Sequence, residues 1–118
     1  MLKLFRRRPK PPPAPPAFQP PPQVEIVETY DGYLIRQAGT GLYAWFANAD
    51  VPHWHPRDWR NHDHPFGYAY SLYRSKDLEL ARTTCAQVEA YMGREAERDH
   101  RTAVEAFERA VYAERVIT

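Results

Sequence analysis

The sequence predicts an α+β protein with two layers, a three- or four-stranded antiparallel sheet (meander) followed by two helices packed on one face. Three observations predict this class. Apolar residues alternate with period two in the first part of the body, and they recur at intervals of three and four after residue 75. Nine of the twelve prolines lie between Pro9 and Pro22, which sets a tail apart from a body of foldable composition.

The charge follows the same division of the chain. Residues 1–22 hold five basic side chains and no acid, whereas residues 23–118 hold eleven basic and fifteen acidic ones, a net charge of −4. We therefore predict a basic, Pro-rich arm at 1–22, disordered or in polyproline II, and a single domain at 23–118. A polyproline II segment over the prolines would span about 40 Å and hold the basic cluster away from the body.

The first two strands are predicted at about 24–30 and 33–37. Val24 and Ile26 alternate with a glutamate between them, which is typical of a half-buried strand. Asp31-Gly32 lies between two tyrosines, and this dipeptide favours a type I′ hairpin turn, in which both central residues have positive φ.

A third strand is predicted at about 42–47, after a Gly-containing turn at 38–41, because its aromatic residues suit a pleated surface. Between these elements and the helices, the region at about 50–65 is predicted to be a His-rich loop. Residues 66–72 alternate large and small side chains. They are interpreted either as a fourth strand or as an extended loop.

Two helices are predicted after these strands. Ser75 is a candidate N-cap for the first helix, since acids follow it in the first turn. Its apolar stripe consists of Leu78, Ala81, Cys85, Val88 and Met92. The helix is predicted to stop or kink at Gly93, and a second helix then begins with acids and ends with arginines.

Several classes of function are disfavoured by what the sequence lacks. Cys85 is the single cysteine, so one chain forms no disulfide or multi-cysteine metal site, and a reducing compartment is expected. The longest apolar run has six residues, at 42–47, against about 18 for a membrane span. We find no secretory signal, phosphate loop or nucleophile elbow. We therefore expect a protein that is cytoplasmic, or part of a larger intracellular or virion assembly, without catalytic residues or a required cofactor.

The His-rich segment is the first candidate site. Histidine and carboxylate suit zinc or another borderline divalent metal. The candidate ligands are His53, His55, His62, His64 and Asp63. Their spacing matches no established zinc motif. The alternative is a solvated loop between strands, anchored to the body by Trp54 and Trp59.

Aromatic residues supply a second candidate site. They make up 14% of the chain, and a small sheet with helices on one face cannot bury them all. The candidate partner-binding residues are Tyr33, Tyr43, Trp45, Trp54, Trp59, Tyr68 and Tyr70. Such a surface suits a protein partner. It could also stack on single-stranded bases, although the net charge of the body argues against nucleic acid there.

The arm is the third candidate. Its basic residues are Lys3, Arg6, Arg7, Arg8 and Lys10, and they can neutralise phosphates of nucleic acid or of an anionic membrane. The arm also repeats the spacing basic-x-x-Pro-x-x-Pro, which could dock on an aromatic groove. The alternative is a solubilising tail without a dedicated partner.

Together these patterns favour a non-enzymatic adaptor or assembly protein, such as a phage or bacterial accessory protein. Its body binds another protein, or a second copy of itself, through aromatic residues, and its arm tethers a second partner. The first alternative is a metal-binding protein or small metal-dependent hydrolase that uses the His-rich loop. The second alternative is a nucleic-acid binder led by the arm.

Overall fold

A computed structural model of the chain describes residues 13–48, 51–59 and 72–113. It contains a four-stranded sheet and one long helix, which confirms the α+β class. The elements are β1 (Val24–Thr29), β2 (Gly32–Gln37), β3 (Tyr43–Asn48), β4 (Val51–His55) and α1 (Leu78–Val111). The first three strands lie where the sequence predicts them. The prediction of two helices is wrong.

The sheet is an antiparallel meander in the order β1-β2-β3-β4. Within the first hairpin Thr29 pairs with Gly32, so Tyr30 and Asp31 form the turn. Gly32 has φ 144°. In the described part of the chain only glycines have positive φ, so Asp31 does not have the positive φ that a type I′ turn requires. The predicted type I′ turn centred on Asp31-Gly32 is therefore wrong, because the turn lies one residue earlier.

The strand β4 occupies the start of the predicted His-rich loop, which corrects that part of the prediction. Pro52 is buried and lies opposite Phe46 of β3. A proline is tolerated here because β4 is an edge strand, where one row of backbone groups has no strand to pair with. The alternative strand at 66–72 lies, apart from Leu72, outside the described residues.

A short segment after residue 72 fills the gap between β2 and β3. The two strands pair at Arg36 and Tyr43, beside the turn that joins them. Farther from that turn Tyr33 exchanges backbone hydrogen bonds with Ser75, at 2.6 and 3.0 Å, and the Tyr73 amide donates to the Ala44 carbonyl at 2.9 Å. The segment Tyr73–Ser75 therefore bridges the two hairpins.

The N-cap of α1 is Asp77, not Ser75. The Asp77 carboxylate accepts hydrogen bonds from the amides of Glu79 and Leu80, at 2.9 and 3.4 Å. The backbone of Ser75 pairs with Tyr33, which holds it in an extended conformation outside the helix. Its hydroxyl accepts from the Asp77 amide at 3.1 Å, so Ser75 supports the cap from two residues before it.

The core lies between the sheet and the first half of α1. Ile35, Ala44 and Cys85 form its centre, and Trp54 packs against them. Ala81, Cys85 and Val88 are the buried residues of the helix, as the predicted apolar stripe requires. Burial raises the pKa of the Cys85 thiol, and the carboxylate of Glu89 adds to this, so the thiol acts as a core side chain.

The second half of α1 extends past the sheet. The helix has 34 residues, about 51 Å at 1.5 Å per residue, whereas strands of six residues span about 20 Å. The Pro-rich residues 13–22, here called the strap, lie along this second half. The ring of Phe18 meets His100 edge to face, with centroids 5.5 Å apart.

Candidate functional site

The sheet face that points away from α1 carries a cluster of aromatic rings. Tyr43 pairs with His55, and Trp45 pairs with His53, across β3 and β4. Ala44 lies in the core beneath the helix. Since side chains alternate between the two faces of a strand, the paired residues on either side of Ala44 lie together on the opposite face.

Trp45 is the centre of this cluster. Its ring lies 5.3 Å from that of His53, 6.1 Å from His55 and 5.1 Å from Trp59, measured between centroids. The His55 and Trp59 rings are stacked, 3.8 Å apart and 7° from parallel. Trp59 follows the end of β4 in a turn closed by a hydrogen bond from its amide to the Pro56 carbonyl, at 3.0 Å.

Two arginines border the cluster. The guanidinium carbons of Arg36 and Arg57 lie 5.9 and 5.8 Å from the centre of the Tyr43 ring, within the range of cation–π attraction. Arg36 also forms an ion pair with Glu25 at 2.6 Å. We call this surface the aromatic face. It comprises Arg36, Tyr43, Trp45, His53, His55, Arg57 and Trp59.

The two histidines of the aromatic face differ in their surroundings. His53 is exposed and His55 is half-buried under Trp59. Burial lowers the pKa of His55, and the charge that His53 acquires on protonation lowers it further. His55 therefore stays neutral near pH 7.

The predicted partner-binding residues divide between several places. Three of them belong to the aromatic face: Tyr43, Trp45 and Trp59. Trp54 points to the other side of the sheet, where it packs against the core. Tyr33 lies in β2 beside Ser75. Tyr68 and Tyr70 are outside the described residues.

The candidate metal ligands are only partly visible. His53 and His55 are brought together on the aromatic face, while His62, His64 and Asp63 lie outside the described residues. Within residues 13–48, 51–59 and 72–113, no group of three or more His, Cys, Asp or Glu side chains is arranged to hold a metal ion. The five basic residues of the arm, Lys3 to Lys10, also lie outside the described part.

Sequence reasoning missed two features of this region. Arg57 was not assigned a role, yet it lies over Tyr43. The histidines of β4 were interpreted as loop residues, yet they pack on Trp45. The signal was present, because Val51, His53 and His55 alternate with Pro52 and Trp54 in the period of a strand.

A groove lies on the other side of the molecule, where the strap passes α1 and β4. Its volume is about 700 Å³. Residues from the strap, from β4 and from the second half of α1 line it. Sequence reasoning did not predict this groove, because nothing in the order of the residues places the strap against the helix.

Comparisons with known proteins add no relative. No protein-family model, curated protein or solved structure matches the chain. Among the described residues, the structure has no helix that is both long and apolar enough to cross a membrane.

Proposed function

We propose that this protein is a non-enzymatic adaptor whose aromatic face binds another protein. The observation that carries the proposal is the Trp45 cluster, in which the rings of His53, His55 and Trp59 surround one tryptophan on the sheet face opposite the helix. Tryptophan, tyrosine and arginine are enriched where protein interfaces derive most of their binding energy. The basic arm provides the second contact of the adaptor in this proposal.

A protein partner suits this surface better than single-stranded nucleic acid does. Base stacking requires open ring faces, but His55 already covers one face of Trp59. Two guanidinium groups lie over Tyr43. The net charge of −4 on residues 23–118 also repels a phosphate backbone.

The single cysteine, which is buried, supports a reducing, cytoplasmic setting for the adaptor.

Affinity capture with matched variants tests this proposal. The full chain, Trp45→Ala, His53→Ala and Tyr30→Ala are used as baits in extract of the native host, and captured proteins are quantified. Tyr30 is fully exposed in the β1–β2 turn and serves as the control for loss of an exposed aromatic ring. We expect one protein to be retained by wild type and Tyr30→Ala and lost by about tenfold or more with Trp45→Ala.

The His53→Ala bait guards against misfolding, because His53 is exposed and its removal leaves the core intact. If Trp45→Ala and His53→Ala both retain every partner of the wild type, the aromatic face is not the binding surface. If Trp45→Ala has a lower thermal midpoint than wild type, its loss of binding could result from unfolding, and the test then depends on His53→Ala alone.

Divalent metal binding is the second candidate function, and the common face of His53 and His55 favours it. Neutral imidazole is the form that binds zinc, and the lowered pKa of His55 keeps it in that form. Isothermal titration with Zn²⁺ tests this candidate. Binding to wild type that disappears in His53→Ala would support it, and titration without heat of binding would dismiss it.

A further inference from the structure

The groove beside the strap has three walls of different origin. Strap residues form one wall, the strand β4 forms the second with Pro52 and Trp54, and α1 forms the third between Tyr91 and Ala103. A volume of about 700 Å³ lies within the range of small-molecule sites, roughly 300–1,000 Å³, and such sites are largely apolar with a few polar groups.

The strap follows the helix in the opposite direction over the length of the groove. Pro22 and Met92 lie together at one end of the groove. Phe18, four residues before Pro22, contacts His100, which lies eight residues after Met92. Four residues of a polyproline segment and eight helical residues both span about 12 Å. The strap and the helix therefore cover equal lengths between these two contacts, and the groove lies between them.

The lining favours a positive charge. Glu95 and Asp99 line the groove together with His100, and no lysine or arginine does so among the described residues. Asp99 is exposed and has no ion pair in the described part of the chain. Glu95 forms an ion pair with Arg98, and Arg98 itself does not line the groove. Trp54 and Tyr91 add aromatic rings, whose faces attract cations.

We propose that this groove binds a small organic cation, namely an amine carried on an apolar body. The apolar body lies against the prolines, Met92 and the aromatic rings, and the ammonium group lies between Glu95 and Asp99. This site is independent of the aromatic face, which lies on the other side of the sheet.

Three probes that share one apolar body test the charge preference. They are 1-naphthylmethylamine, 1-naphthalenemethanol and 1-naphthoic acid, which are cationic, neutral and anionic at pH 7. Each is titrated into the ¹⁵N-labelled full chain and followed by amide shifts in NMR spectra. We expect the amine to bind about tenfold more tightly than the alcohol and the acid to bind weakest, with shifts at Ala96 and Ala103 of the groove wall.

Paired variants then distinguish attraction of the amine by the groove carboxylates from attraction by the overall negative charge of the helix. Glu95→Gln with Asp99→Asn removes both groove carboxylates, and Glu105→Gln with Glu108→Gln removes the same charge from exposed positions outside it. The first variant is expected to lose about tenfold in amine affinity, the size of two exposed ion pairs. The control and the affinity for the alcohol stay unchanged.

Three results would overturn the proposal. Equal affinity for the three probes would show that the carboxylates do not select charge. Equal losses in the two variants would show that only the overall field attracts the amine. Shifts confined to residues outside the groove would place binding elsewhere. Failure of the aromatic face to bind a protein leaves these outcomes unaffected.

Discussion

At the scale of single residues, Gly32 is constrained in two ways. Its φ of 144° lies in a region that side chains rarely adopt, and a Cβ placed on it would be 2.8 Å from the Ser75 carbonyl oxygen. The close contact arises because Tyr33, the next residue, pairs with Ser75. Gly32 therefore allows the bridging segment to approach β2 closely.

Replacing Gly32 by alanine is expected to lower the free energy of unfolding by roughly 3 kcal/mol, since backbone strain and overpacking both contribute. Urea denaturation measures the change. Gly39→Ala is the matched control, because Gly39 has φ 83° with nothing within 4 Å of an added Cβ. It should cost only about 1–2 kcal/mol. Equal costs for the two variants would show that contact with Ser75 is unimportant.

The stacked imidazole of His55 makes stability depend on pH. Its pKa in the folded protein lies below the ordinary histidine value, mainly because of burial, whereas the unfolded chain titrates near pH 6.5. The unfolded state thus binds more protons in the window just below pH 6.5. The contribution to stability is complete above that pH and falls as the pH drops towards the folded pKa.

Thermal midpoints of wild type and His55→Phe between pH 5.5 and 7.5 check this dependence. Phenylalanine keeps a flat ring against Trp59 but does not titrate. We expect the wild type to lose more stability than the variant as the pH falls. Parallel curves for the two proteins would contradict a role for His55 protonation.

At the scale of elements, the continuity of α1 is the main departure from the predicted fold. Gly93 costs only about 1 kcal/mol relative to alanine inside a helix, and strong helix formers (alanine, leucine, methionine, glutamate, glutamine and arginine) dominate on both sides of it. An added Cβ at Gly93 meets nothing within 4 Å. One weak residue in a run of strong helix formers does not end the helix.

Gly93→Ala should accordingly stabilise the protein by about 0.5–1 kcal/mol. The denaturant midpoint and the helical circular dichroism signal measure this change. Stability increases because alanine lowers the conformational entropy of the unfolded chain, and because the residue already has a helical backbone conformation that alanine can adopt. A loss of stability would mean that the helix bends at Gly93 in solution.

The elements that the sequence predicted correctly are those with a clean local signal. Alternation at about 24–30 and the aromatic run at about 42–47 predicted the strands found at 24–29 and 43–48. The apolar stripe that includes Ala81, Cys85 and Val88 predicted the buried face of the helix. β4 was missed because proline and histidine are common in loops. The pairing of Tyr33 with Ser75, and of Trp45 with His53, depends on distant parts of the chain, which local patterns do not contain. The aromatic face was therefore predicted only as residue types.

At the scale of the whole molecule, the strap and the second half of α1 support each other. The buried helical residues all lie before Gly93, so the sheet does little for the helix beyond that point. Phe18 and the prolines of the groove wall lie against this second half instead. The N-terminal arm, residues 1–22, thus contains a segment that packs on the body.

Removal of the strap should loosen the end of the helix. A chain that begins at residue 23 is expected to exchange amide hydrogens faster between Ala96 and Val111, while Ala81 to Val88 stay protected by the core. A chain that begins at residue 13 keeps the strap and is the control. Unchanged protection beyond Gly93 in the shorter chain would show that the strap contributes nothing to helix stability.

The bridging segment Tyr73–Ser75 also sets the order in which the protein assembles. Each hairpin closes from neighbouring residues, but Ser75 follows Tyr33 by 42 positions in the chain. Closing such a distance costs more chain entropy than closing a hairpin. During synthesis, the two hairpins therefore emerge from the ribosome before the segment that joins them, and the sheet is completed only when that segment arrives.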